Sequence, residues 1–126
     1  MPPSRIDFDK PVYWVGSAKK DLLTFPESVV DNFGYALGLA QGGGFPPSSK
    51  PWSGEGPGVF ALVEDFRGDT YRVAYTVRFD RAIYVLHCFQ KKSPSGIRTA
   101  RNDVRLIHER LRVAQADYQV RHGKET

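Results

Sequence analysis

VFALVEDFRGDTYRVAYTVRFDRAIYVLHCFQK, residues 59–91, decides the fold. Val, Ile, Tyr and Phe recur through it at the density of β-strands, and two groups of turn-forming residues cut it into three runs. Strands are expected over Val59–Glu64, Thr70–Phe79 and Ala82–Lys91, joined by Phe66-Arg67-Gly68-Asp69 and by Asp80-Arg81. Connections this short make an antiparallel meander. If Asp65 opposes Thr70 and Phe79 opposes Ala82, directly opposed residues share a face. One face then holds Phe60, Leu62, Tyr71, Val73, Tyr75, Val77, Tyr84, Leu86 and Cys88, and reads as core. The other holds Ala61, Val63, Arg72, Ala74, Thr76, Arg78, Val85, His87, Phe89 and Lys91. Its mixed chemistry suits a face left open to solvent.

Upstream, Val12–Val15 is β-branched and aromatic and reads as a short strand. Ser17 is placed to cap a brief helix through Leu22 and Leu23, and Pro26 suits the first turn of a longer helix to about Gln41. The stripe Val29/Val30, Phe33, Leu37 and Ala40 has helical spacing, and Gly34 and Gly38 beside it offer room for a close neighbour. GGGFPPSSKPWSGEGPG, residues 42–58, reads as loop throughout. Its three glycines are not followed by Lys-Ser/Thr at phosphate-loop spacing, so they read as a hinge. Downstream, Thr99 is placed to cap a last helix with the stripe Val104, Ile107, Leu111, Ala114 and Tyr118, ending near residues 118–121. The expected class is α+β: an antiparallel meander with two N-terminal helices and a C-terminal helix packed on one face. A single domain over residues 1–126 is expected, with 1–11 and 122–126 expected to be flexible.

Composition narrows the chemistry. Cys88 is the single cysteine, which excludes a disulfide framework and a thiolate metal cluster. Three scattered histidines without a companion carboxylate cluster give no metal site and no cofactor. No apolar run spans a bilayer and MPPSRIDFDK has no signal-peptide core, so a cytoplasmic protein without membrane contact is expected. The net charge of +4 is uneven: residues 1–49 hold four Lys/Arg against five Asp/Glu, and residues 50–126 hold fourteen against nine. The basic second half favours a polyanionic partner.

Tyr71-Arg72-Val73-Ala74-Tyr75 followed by Leu86-His87-Cys88-Phe89-Gln90-Lys91-Lys92 resembles the paired strands of RelE/ParE-superfamily toxins, in their phage-derived, HigB-like branch. Lys50 before the Gly-rich approach to Val59-Phe60, Gly68-Asp69 before Tyr71, and a basic C-terminal helix fit the same pattern over roughly residues 12–118. The resemblance implies a RelE-like fold and the toxin of a type II toxin–antitoxin system. It also implies a metal-independent mRNA endoribonuclease acting on free or ribosome-bound message, neutralised by a cognate antitoxin of helix-turn-helix type. Its catalytic residues fall at Arg72, His87 and Lys91, with RNA contacts at Lys50, Arg67, Lys92, Arg98 and Arg101.

Each candidate has a chemical reason. The Arg72 guanidinium binds phosphate bidentately, His87 is an acid–base group near neutral pH, and lysines at a strand end meet phosphate. Arg105 lies one turn from Arg101, Trp52 and Phe89 offer stacking surfaces, and Trp14 reads as core. The chain also departs from its relatives. They commonly carry Trp-Glu-Leu-Arg on the first meander strand, where this one has Phe60-Ala61-Leu62-Val63, and Glu64 should face the other way. Two alternatives therefore stand beside the ribonuclease: a catalytically degenerate module binding RNA or antitoxin, and a ParE-like gyrase poison.

Overall fold

The computed structural model describes residues 9–91 and 97–123. Its elements are β1 (Val12–Trp14), α1 (Ala18–Leu22), α2 (Glu27–Gln41), β2 (Ser49–Pro51), β3 (Val59–Phe66), β4 (Asp69–Thr76), β5 (Ile83–Lys91) and α3 (Ile97–His122). The α+β class and the β3–β4–β5 meander match the sequence expectation. They sit in a five-stranded sheet of order β1-β5-β4-β3-β2. The first strand lies parallel to the last, Tyr13 beside Tyr84, and the other neighbours are antiparallel. Lys10 is tied to α2, accepting from the Gln41 side chain at 2.7 Å and donating to the Gln41 carbonyl at 3.0 Å.

Several expectations need correction. The helices do not share one face. α1 and α2 pack Ala18, Leu22, Val29, Phe33 and Leu37 against Leu62, Val73, Tyr75, Val85 and Cys88. α3 lays Ile107, Leu111, Ala114 and Tyr118 on the opposite face, over Ala74, Phe79, Tyr84 and Leu86. The meander residues are apolar on both sides because both sides are covered, the pattern of a sheet buried between layers. Val104 is the exception in the α3 stripe, 44% exposed.

The second correction is a β-bulge in the β4–β5 ladder. Arg72 pairs with Phe89 and Ala74 with His87, but Tyr75 pairs with Val85 and Thr76 with Tyr84. An extra residue on β5 exchanges the faces beyond it. Tyr84 and Leu86 therefore belong to the α3 core, and Val85 to the α1/α2 core. The connection between these strands also runs over residues 77–82 instead of two.

Third, the expected loop 42–58 contains β2, whose Ser49, Lys50 and Pro51 pair with Leu62, Ala61 and Phe60. Buried Ser49 shares a 2.7 Å hydrogen bond with the Tyr75 hydroxyl, an anchor that composition does not display. Fourth, Gly34 and Gly38 have open space around them, and no other element packs close against them.

The β3–β4 turn is tighter than four residues. Phe66 still pairs with Asp69, leaving Arg67 and Gly68 at the tip with φ of 51° and 85°. Two left-handed residues make the turn whose twist suits a hairpin.

Candidate functional site

Strand alternation places Asp65, Thr70, Arg72, Phe89 and Lys91 in one neighbourhood. Asp65 opposes Thr70, which opposes Lys91, and Arg72 lies between Val63 and Phe89. All five share the α3 side of the sheet, at its hairpin end, where side chains of diagonal partners lie about 7–8 Å apart. Thr70 donates to the Asp65 carboxylate at 2.8 Å. Asp65 and Lys91 are exposed, Arg72 and Phe89 half-buried.

Arg72 is the unusual member. It makes no ion pair among the described residues, and its Nε is buried without a hydrogen-bond partner. A buried donor left unpaired costs about 1–3 kcal/mol, so such a group is normally satisfied by water or a ligand. The Trp52 indole Nε1 is unpaired in the same way, and its ring meets Phe89 edge-on at 6.3 Å. Two unsatisfied donors thus flank one half-buried aromatic ring.

His87 lies one row deeper and is not on an open face, because α3 covers it to 6% exposure. Its Nδ1 accepts from Arg110 at 3.3 Å, which leaves Nε2 carrying the proton that it donates to Asp103 at 2.8 Å. Arg110 also donates to the Leu86 carbonyl at 3.1 Å and to the Ser17 hydroxyl at 3.1 Å. The imidazole stacks on Phe89 at 4.8 Å and 15°. His87 therefore fixes α3 to the sheet and holds the floor of the Arg72 neighbourhood.

The remaining candidates are spread around this centre. Lys50 points to the same side as Ala61 but on the edge strand β2, and Arg67 projects from the hairpin tip with its guanidinium 5.2 Å from the Phe66 ring centre. Arg101 is exposed on α3. Lys92 lies outside the described residues, as does the side chain of Arg98. Ala61 and Val63 occupy the same side as Arg72, and Glu64 points away, accepting from Asn32 of α2 at 2.6 Å.

Two polar groups escaped the sequence reading. Asp65 supplies a carboxylate to the Arg72 face, which the pairing Asp65–Thr70 already implied. His108 of α3 meets Glu55 of the β2–β3 connection, Nδ1 to Oε1 at 3.0 Å, with the imidazole 55% exposed and the carboxylate 8%. That pair joins residues 53 apart, and no local pattern announces it. Elsewhere, burial first and then the nearby Asp21 carboxylate push the Cys88 thiol up to about 12, which removes it as a nucleophile. Among the described residues no group of three or more His, Cys, Asp or Glu could hold a metal ion. No described helix is long and apolar enough to cross a membrane.

Comparison with known proteins gives one family. The model described as "Phage derived protein Gp49-like (DUF891)" matches residues 20–112. That segment runs from α1 through the sheet to the middle of α3. No curated protein and no solved structure matches the chain.

Proposed function

The chain belongs to the Gp49-like family of phage-derived proteins, a family of toxins of toxin–antitoxin systems whose members have an antitoxin partner, and from that premise we propose that it is an mRNA endoribonuclease. The observation that carries this reading is Arg72: a half-buried arginine with an unsatisfied Nε, beside an aromatic ring, on a strand facing a basic helix. Phosphate supplies the acceptors such a guanidinium lacks.

The reaction is transesterification without a metal. The 2′-oxygen forms a bond to the adjacent phosphorus and the bond from phosphorus to the 5′-oxygen breaks, leaving a cyclic phosphate and a 5′-hydroxyl. Asp65 accepts the 2′-hydroxyl proton, Arg72 binds the non-bridging oxygens as charge builds on them, and Lys91 protonates the departing 5′-oxygen. Phe89 and Trp52 offer rings to the flanking bases. His87 acts one layer down as a positioning residue through Phe89. Lys50, Arg67, Lys92, Arg98 and Arg101 are the further phosphate contacts of this reading, and a helix-turn-helix antitoxin neutralises the toxin on free or ribosomal message.

Ala61 and Val63 favour a second reading, since relatives carry an acid and an arginine at these positions and this face has neither there. In it the chain binds RNA or antitoxin without cutting.

Induced expression separates the two. Cleavage predicts growth arrest and new 5′-hydroxyl mRNA ends with wild type, a loss of about 10²–10⁴-fold in cleavage with Asp65→Asn, and a comparable loss with Arg72→Ala. Intact message with RNA or antitoxin binding retained would establish the binding module, and intact message with neither RNA nor antitoxin bound would refute both.

A further inference from the structure

A row of basic residues runs along α3 from the Arg72 neighbourhood to a separate cleft. Arg101, Arg105, His108 and Arg112 are spaced four, three and four apart, so they stand in one line on the helix. All four are exposed. At 1.5 Å per residue the line is about 16 Å long from Arg101 to Arg112.

The contacts of α3 fix where this line points. Ile107, Leu111 and Ala114 face down into the sheet. One flank holds Arg110, which reaches Ser17, and Asp117, which accepts from Tyr84, so that flank faces the α1 and β1 side. The other flank holds His108, bonded to Glu55 of the β2–β3 connection. The basic line therefore lies over the β3/β4 side, where Arg72 of β4 also opens. Its first turns adjoin the sheet site, because Asp103 is bonded to His87 under Phe89.

At its far end the line enters a cleft of about 560 Å³ between α3 and the β2–β3 connection, lined by Glu55, Arg78, His108, Arg112, Gln115 and Gln119. The cleft wall is built. Arg78 donates to the Pro57 carbonyl at 3.0 and 3.2 Å and to the Glu55 carbonyl, which pins the connection. Glu55 is occupied by His108, whose Nδ1 proton points to the carboxylate and whose Nε2 is left for a ligand. Arg112 has no partner among the described residues, and the two glutamines supply amide donors and acceptors to the same space. The acidic groups near the line are engaged: Glu55 by His108 and Glu109 by Arg105 at 3.3 Å.

We propose that this cleft is a second, distal phosphate-binding subsite for a single-stranded RNA. The strand leaves the Arg72–Lys91 centre and follows Arg101, Arg105 and His108 into the cleft, where Arg112 binds a backbone phosphate and the His108 Nε2, left as an acceptor, takes a hydrogen bond from a ribose 2′-hydroxyl. The proposal rests on the RNA-binding reading above and extends it: the protein grips substrate beyond the reacting phosphate, through contacts indifferent to base sequence.

Two RNA lengths test it. Binding of labelled single-stranded RNAs of about 4 and about 12 nucleotides is measured over a range of salt concentrations. Arg112→Ala is expected to weaken the longer RNA roughly three- to tenfold, lower its salt dependence by about 0.7 in log–log slope, and leave the shorter RNA unchanged. His108→Ala should act in the same direction on the longer RNA, whereas Arg72→Ala should weaken both lengths. If Arg112→Ala and His108→Ala bind the longer RNA as wild type does while Arg72→Ala still weakens both, the distal subsite is overturned and the sheet site stands. If wild type binds neither RNA, the RNA reading itself falls. If the two variants alter only the capture of an acidic partner protein, the row serves that partner and the proposal is wrong.

Discussion

His87 shows how far a single residue can be read without its surroundings. Its strand position and its pairing with Ala74 follow from alternation, but its burial does not. The partners that close over it, Asp103 and Arg110, come from a helix that begins after β5 ends, and periodicity is silent about which helical face meets which strand residue. Removing the imidazole leaves a buried carboxylate without its donor. His87→Ala should therefore lower unfolding free energy by about 3 kcal/mol, seen as a shift in denaturant midpoint with unchanged slope. A midpoint equal to that of wild type would mean that the histidine does not anchor α3. Cys88, by contrast, was legible as a core residue. With its thiol pushed up to about 12 it should resist alkylation near pH 8 in the folded protein and react readily once unfolded.

At the scale of elements, strands were easier to find than their edges. β3, β4 and β5 announce themselves through Val, Tyr and Phe, whereas β2 is Ser-Lys-Pro and forms only because Leu62, Ala61 and Phe60 wait beside it. The bulge between Ala74 and Tyr75 was equally hidden, since nothing in IYVLHCFQ marks the added residue. On the near side of that bulge the expected pairs hold, and this is the half that carries Arg72, Phe89 and Lys91; the half beyond it exchanged its faces. The hairpin tip offers a direct measurement. Arg67 holds a left-handed φ of 51°, a conformation easier for Asn or Gly. Arg67→Asn should stabilise the protein by about 0.5–1 kcal/mol in thermal melts, and Gly68→Val, at φ 85°, should destabilise it by about 1–3 kcal/mol.

The whole molecule depends on how α3 is clasped to the rest. Near its C-terminus the Tyr84 hydroxyl donates to Asp117 at 2.6 Å, Arg121 donates to the same carboxylate at 2.7 Å, and the Arg121 guanidinium lies 4.2 Å from the Tyr13 ring centre. The Tyr84 hydrogen bond, assisted by Arg121, holds the Asp117 carboxyl below its ordinary range. A carboxyl whose folded value is depressed stabilises the fold above its unfolded value and loses that contribution as pH falls through the folded one. The stability advantage of wild type over Asp117→Asn should therefore be full above about pH 4 and shrink in more acidic solution. An advantage independent of pH would show that the clasp works through packing.

The parallel pairing of β1 with β5 fixes a calendar for the molecule. Residues 12–14 must wait for residues 83–85 before they have a neighbour in the sheet, and Tyr84 and Leu86 must wait longer still for α3. During synthesis the chain emerges from its N-terminus, so the outer strand is made first and joined nearly last, a long-range closure of the slow kind. The sheet face that carries Arg72 and the basic row of α3 come together only when that helix docks. A nascent chain ending before Ile97 holds Arg72, Phe89 and Lys91 yet has no wall to set against them, so that side of the sheet is complete only after α3 has been made.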